Sequence, residues 1–181
     1  MKANQFSEIN TERLLLRRLM ESDWEMISYL RSDKEVNKFV KRPSAESKEK
    51  ALEFINKINN GIDNQNSFYW TIAEKNSNQM IGSICLWNFT KDRKTAEIGY
   101  DLSPKFQGKG IMNESLISIL EFGFKNLNLD LIEAYTHTRN VTSKKLLERN
   151  RFILDVNRKD EHNQDNIIYK LKKPTANNSS K

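Results

Sequence analysis

One stretch of this chain carries most of its recognisable chemistry: Tyr100-Asp101-Leu102-Ser103-Pro104-Lys105-Phe106-Gln107-Gly108-Lys109-Gly110-Ile111. A strand-like segment runs into a turn with two glycines, then into helix-forming sequence. Glycines at 108 and 110 let an anion approach the backbone with no side chain in the way. The first amides of a helix lack internal partners and point out from its start, and the helix dipole adds roughly +0.5 charge there. These properties suit a pyrophosphate, and they also fit an ordinary glycine-containing loop. G-x-x-x-x-G-K-[ST] is absent, and no third glycine completes a dinucleotide fingerprint.

The elements that must position this turn follow from periodicity. Glu12–Leu19 reads as a strand. Glu21-Ser22-Asp23 offers a helix start, followed at helical spacing by Trp24, Met26, Ile27 and Leu30. Ser44 or Ser47 caps a second helix carrying Ala51, Leu52, Phe54, Ile55 and Ile58, expected to stop at Asn60-Gly61. Ser67–Glu74, Met80–Phe89 and Thr95–Leu102 read as three strands joined by short polar turns, an antiparallel meander. A long helix is expected over Gly108–Leu127, with Met112, Leu116, Ile119, Leu120 and Phe124 on its buried face. Then come a strand at Leu131–Thr136, a short helix at Asn140–Arg149, and a hairpin of Phe152–Val156 and Asn166–Leu171. The order is β-α-α-β-β-β-α-β-α-β-β. It is an α/β (α+β) fold with a mixed, mostly antiparallel sheet flanked by helices.

Bulk properties narrow the class. The length of 181 residues suits one domain, taken as residues 1–171, with 172–181 (KKPTANNSSK) as a disordered tail. Apolar residues are 37% and charged residues 30%, and no apolar run approaches the roughly 18–20 residues that cross a bilayer. Residues 1–10 lack the apolar stretch of a secretory signal. A single cysteine, Cys85, makes no internal disulfide, which fits a cytoplasmic protein. Two histidines and one cysteine leave no ligand set for structural zinc. The net charge of +6 reads as a lysine-rich surface or as attraction to a polyanion. No nucleic-acid-binding motif is present.

Gln107-Gly108-Lys109-Gly110-Ile111-Met112 resembles the coenzyme A signature of the GNAT acetyltransferase superfamily, Q/R-x-x-G-x-G/A, with Met112 in place of the final small residue. The Q-G-x-G-I-M form is similar to the RimJ/RimL-like branch, which acetylates protein N-termini and related amines. Thr11-Glu12-Arg13-Leu14-Leu15-Leu16-Arg17, the strand Ala96-Glu97-Ile98-Gly99-Tyr100, and Asn140-x-x-Ser143-x-Lys145-Leu146-Leu147-Glu148 before Phe152 agree with it in order. The resemblance covers about Thr11 to Leu171. Two positions depart from it. The usual glycine before Phe152 is Arg151, and the position where many members carry a tyrosine acid is Leu147.

The resemblance implies an acetyl-CoA-dependent N-acetyltransferase without a metal. Gln107, Gly108, Lys109, Gly110, Ile111 and Met112 would hold the pyrophosphate. The strand end through Tyr100 and Leu102 would pair with the pantetheine arm and donate backbone N–H groups to the developing oxyanion. Asn140 would bond the arm, or act only as a helix cap. Lys145 would meet a phosphate, or remain a solvated lysine. An amine of pKa near 9–10 is only ~0.1–1% neutral at pH 7, a cost of about 3–4 kcal/mol, so a base is useful. Glu97 is the candidate, against a surface glutamate paired with lysine, and Glu161 is the runner-up. Ser143 would protonate the leaving thiolate or hold a water, or be a plain helix serine.

Cys85 and His137 read as structural. His162 falls in the last hairpin, which borders the acceptor site in this fold, and Trp24, Tyr69, Trp70 and Trp87 read as core aromatics or pocket lining. The acceptor is expected to be the N-terminal amine of a peptide or ribosomal protein. A polyamine, aminoglycoside or amino acid is the alternative, as is a non-catalytic acyl-CoA-binding module. The chain carries +6 with no acidic cluster, and the flanking segments, Asp33–Lys50, which is basic, and Asn157–Asp165, which is nearly balanced, suit an acidic or neutral peptide better than a polycation. A homodimer is compatible with this reading.

Overall fold

The computed structural model describes residues 6–174. Alternating side chains in the strands divide the interior into two cores, one on each face of a single sheet. In β3 (Phe68–Glu74), Phe68, Trp70 and Ile72 point one way and Tyr69 the other. The first core is filled by α3 (Ile111–Lys125), through Leu116, Ile119, Phe122 and Phe124, and by Leu147 of α4 (Val141–Arg149). The second is filled by Ile27 and Leu30 of α1 (Trp24–Ser32) and by Ala51, Ile55 and Ile62 of α2 (Lys48–Asp63). Because helices cover both faces, every residue of β3 except Glu74 is buried.

The sheet has eight strands in the order β1-β2-β3-β4-β5-β6-β8-β7. The strands not yet placed are β1 (Ile9–Asn10), β2 (Leu14–Arg17), β4 (Met80–Trp87), β5 (Thr95–Leu102), β6 (Leu131–His137), β7 (Ile153–Leu154) and β8 (Asn166–Lys172). All neighbours are antiparallel except β5 and β6, which α3 joins by a crossover. The element order matches the expectation, with β1 as an added two-residue strand.

Of the two caps offered for α2, one is used, and several boundaries differ from the sequence reading. Ser47 is the α2 cap, its hydroxyl accepting from Lys50 N at 3.3 Å. The helix does not stop at Gly61 but runs to Asp63, and the chain turns at Gln65, which has φ 56°. Gly61 serves packing, since a Cβ there would lie 2.9 Å from Ser67 Oγ. Strand β8 includes Lys172, and Lys173 N donates to Asp130 O at 2.9 Å, so ordered structure extends two residues past Leu171. Residues 175–181 of the expected tail lie outside the described residues. Arg151, where a glycine was expected, takes φ 65° without one.

Glycine is required where β4 meets the end of β5. Gly82 pairs with Leu102, and a Cβ on it would sit 2.5 Å from the Asp101 carbonyl oxygen and 2.8 Å from Leu102 Cδ1. The first of these contacts is backbone and cannot swing aside. Gly82→Ala is expected to destabilise the fold by about 1–3 kcal/mol, read from the urea midpoint. An unchanged midpoint would show that this strand end tolerates displacement.

Candidate active site

Strands β5 and β6 are paired only over Thr95–Glu97 and Leu131–Glu133. Beyond Glu97, β5 keeps its register with β4 as far as Leu102, and β6 keeps its register with β8 as far as His137. The two strands splay, so their facing edges beyond Glu97 and Glu133 are not paired with each other. A cleft of about 1980 Å³ crosses the molecule there, lined by Glu97–Leu102, Gln107, Gly108, Gly110–Asn113, Ala134–His137, Asn140, Ser143 and Lys145.

The glycine turn lies at one end of the cleft. Gly108 and Gly110 have φ 75° and 77°, and Gly110 is the N-cap of α3. The left-handed backbone at both positions favours glycine. Gln107 Nε2 donates to Leu102 O at 3.1 Å and ties the turn to the end of β5. Ile111 is buried in the core and Met112 packs against it, so their side chains anchor the helix while their amides lie at its open N-terminus. Lys109 is exposed, with its ammonium 5.3 Å from the Phe106 ring.

The turn is held from behind by the Thr11–Arg17 segment. Thr11 Oγ1 and Arg13 N donate to Glu114 Oε1 at 2.5 and 2.9 Å, Arg13 Nε donates to Glu114 Oε2 at 2.7 Å, and Arg13 Nη1 donates to Lys109 O at 3.0 Å. The sequence motif had no derived role for Thr11 and Arg13. Glu114 in the first turn of α3 was the available signal.

The two faces of β5 carry different groups. Tyr100 points to the α3/α4 face, where its Oη lies 2.8 Å from Ser143 Oγ. Burial pushes the Tyr100 phenol up to about 12, with the Ser143 bond pulling it down. Asn140 caps α4, its Oδ1 accepting from Ser143 N at 3.1 Å, and among the described residues its Nδ2 donates to no partner. Lys145 is exposed and makes no ion pair among the described residues. Leu147 is fully buried in the core.

On the α1/α2 face stand Glu97, Gly99 and Asp101. Glu97 is half-buried. Burial pushes its carboxyl up to about 7, a hydrogen bond from Asn88 Nδ2 at 3.4 Å opposes this, and the charges of Asp160 and Glu133 add to it. Glu133 is itself paired with Arg158, and Asp160 accepts from Asn166 Nδ2 at 2.8 Å. The expectation of no acidic cluster is therefore corrected: Glu97, Glu133 and Asp160 come together from β5, β6 and the last hairpin loop. That loop, which includes Glu161 and His162, and the 35–43 segment both line the cleft. Phe39 of the latter reaches across to His137, with ring centroids 5.2 Å apart.

The remaining candidates separate. Tyr69 and Trp87 line the cleft, whereas Trp70 is fully buried with Nε1 donating to Ser7 O at 2.9 Å, and Trp24 packs against the α1/α2 core. Cys85 lines the floor, and burial pushes its thiol up to about 12, so it stays protonated and inert at neutral pH.

The family model described as "Acetyltransferase (GNAT) domain" matches residues 13–153. The chain belongs to the GNAT acetyltransferase family. It is an acyltransferase, and acetyl-CoA is the acyl donor of this family. The "uncharacterized N-acetyltransferase YnaD" of Bacillus subtilis is 33% identical over 141 residues, covering 78% of this chain and 79% of that protein. Among solved structures, the ribosomal-protein-S5-alanine acetyltransferase of Vibrio fischeri superposes with a TM-score of 0.80 at 24% identity, over 92% of this chain and 97% of that one. RimJ of Mycobacterium smegmatis, in complex with CoA-disulfide, gives 0.81 at 15% identity over 93% and 88%. These two likenesses establish the fold.

The raised carboxyl of Glu97 has a cost to the fold. Its folded-state pKa lies above the ordinary carboxylate range, so the folded protein holds this proton more tightly than the unfolded chain does. The penalty is absent at low pH, grows as pH rises from about 4.5 towards 7, and is complete above 7. Glu97→Gln is expected to raise Tm at pH 8 more than at pH 5. An equal gain at both pH values, or a loss at pH 8, would show that Glu97 is not desolvated.

Proposed function

We propose that this N-acetyltransferase acts on the N-terminal amine of a peptide or protein, with Glu97 as base and Ser143, backed by Tyr100, as the acid for the leaving group. The observation that carries the reading is the splay of β5 from β6 with a desolvated carboxylate on one face and a hydroxyl pair on the other. The positive-φ glycines and the open N-terminus of α3 fit a pyrophosphate, and the open β5 edge fits an extended arm that adds to the sheet by backbone hydrogen bonds. Bound acetyl-CoA supplies an acetyl thioester.

The residues of the chain do the rest. Glu97 takes a proton from the ammonium, directly or through water, and leaves a neutral amine. A pKa near 7 suits a base that must be both ionised and proton-accepting at neutral pH. Backbone N–H groups of the Gly99–Leu102 edge donate to the acetyl oxygen as the carbon–nitrogen bond forms and negative charge builds there. Ser143 gives a proton to the sulfur as the carbon–sulfur bond breaks, and Tyr100, 2.8 Å behind, replenishes it. This supplies a tyrosine acid from β5 in place of the one that Leu147 does not provide.

The peptide acceptor is supported by the likeness to the Vibrio fischeri enzyme, described as acting on alanine of a ribosomal protein. The acidic grouping around Glu97 favours a second reading, a polyamine or aminoglycoside acceptor. The guanidinium groups of Arg31 and Arg42 in the same cleft oppose it.

The test is thiol release with acetyl-CoA on N-terminal Ser and Ala peptides, spermidine and kanamycin. The peptides are expected to give the higher kcat/KM. A tenfold advantage for spermidine or kanamycin would replace the peptide reading. On the preferred amine, Glu97→Gln is expected to lower turnover by roughly 10²-fold near pH 7, with partial recovery at high pH where the amine is already neutral. Wild-type activity should fall as pH drops through about 7, where Glu97 takes up its proton. Wild-type turnover in Glu97→Gln, with the acid limb retained, would move the role to Glu161 or to water.

A further inference from the structure

The acceptor face of the cleft has opposite charges at its two ends. Glu97 stands at one. Asp101 stands four residues on, about 13 Å along β5 at about 3.3 Å per residue. Both oxygens of Asp101 are taken, Oδ2 by Arg42 Nη1 at 2.8 Å and Oδ1 by Ser83 Oγ at 2.6 Å. Arg42 is closed in turn, with Nε donating to Asn37 Oδ1 and Nη2 to Leu30 O, both at 2.7 Å.

A second guanidinium, Arg31, lies in the field of this network without joining it. The one hydrogen bond it makes among the described residues runs from Nη2 to Pro43 O at 2.9 Å. Its guanidinium carbon lies 4.0 Å from the centre of the Phe54 ring. Among the described residues, no carboxylate comes within ion-pairing distance of it, and its Nε–H and Nη1–H are unused. Burial and the neighbouring charge of Arg42 both push its pKa down, because both penalise the cation.

Two guanidinium groups thus face one carboxylate at this end, leaving one positive charge partly removed from water. An uncompensated charge there is costly, and an arriving anion gains charge-assisted, bidentate hydrogen bonds. The stack on Phe54 already holds the guanidinium in place, which lowers the ordering cost of such a pair. Arg31, Phe54, Tyr69, Gly99 and Glu97 line one continuous cleft.

We propose that Arg31 selects an acidic acceptor: a peptide whose terminal amine sits at Glu97 and whose Asp or Glu side chain, within about the first four residues, pairs with Arg31. This rests on the reading of the acceptor as a peptide amine. An acceptor with further positive charge would meet Arg31 and Arg42 and be rejected.

Two amidated peptides, Ser-Ala-Asp-Ala and Ser-Ala-Asn-Ala, differ in one charge and almost nothing else. Calorimetry on the enzyme saturated with CoA gives the Kd of each without turnover, and thiol release gives kcat and KM. The acidic peptide is expected to bind at least tenfold more tightly, with the difference in KM rather than kcat. That ratio should fall to within twofold of one in Arg31→Gln. It should be largely kept in Arg31→Lys, which retains the charge and serves as the folding control.

Equal Kd values in the wild type, or a preference that survives Arg31→Gln, overturn the proposal. So does a tenfold rise in the KM for acetyl-CoA in Arg31→Gln, which places Arg31 on the donor. A tenfold binding preference without turnover of either peptide upholds the role of Arg31 and removes the peptide reading of the reaction. Turnover of both peptides at equal KM does the reverse, and failure of both to bind overturns both.

Discussion

The site depends on an interaction that stops. Strands β5 and β6 share three residue pairs and then part, each following its other neighbour. A parallel pair in the middle of a sheet would ordinarily continue, because unpaired backbone groups inside a protein are costly. Here the two facing edges border the cleft of about 1980 Å³ instead. Gly82 lets β4 hold the end of β5 at close range, and Gln107 fastens the following turn to Leu102. Arg13 and Glu114 then fix the start of α3. The open edge of β5 and the glycine turn are therefore tied together by direct contacts.

The period-two alternation of a strand does the rest. Glu97 and Asp101 leave β5 towards α1 and α2, while Tyr100 leaves it towards Ser143 of α4. The cleft therefore has a carboxylate on one face of β5 and a hydroxyl pair on the other. Burial raises both Glu97 and Tyr100. The shift brings the carboxyl to about 7, which suits the proposed base, while the phenol is pushed further from neutral pH, up to about 12. Both shifts follow from burial in the fold, and the Glu97 shift comes at the expense of fold stability.

The local parts of this design were legible in the sequence, and the non-local parts were not. The meander, the long helix and the glycine turn follow from periodicity and from Gly108 and Gly110. Asn140 was open between cap and ligand; its Oδ1 caps α4, and its Nδ2 has no partner among the described residues. Gly61 misled because a glycine can serve packing instead of ending a helix. The left-handed turns of Gln65 and Arg151, at φ 56° and 65°, carry no glycine to announce them. The acidic grouping of Glu97, Glu133 and Asp160, and the isolation of Arg31, are properties of three-dimensional neighbourhood. Each residue, read alone, is one charge among many on a chain with 30 basic and 24 acidic groups.

Backbone hydrogen exchange with and without acetyl-CoA tests most directly the claim that the splayed edge and the α3 turn form one donor site. The account predicts that amides of Gly99–Leu102 and of Gly108–Met112 become protected together, while those of α1 and α2 do not change. Protection confined to another edge of the sheet, or none at either segment under saturating acetyl-CoA, would contradict it.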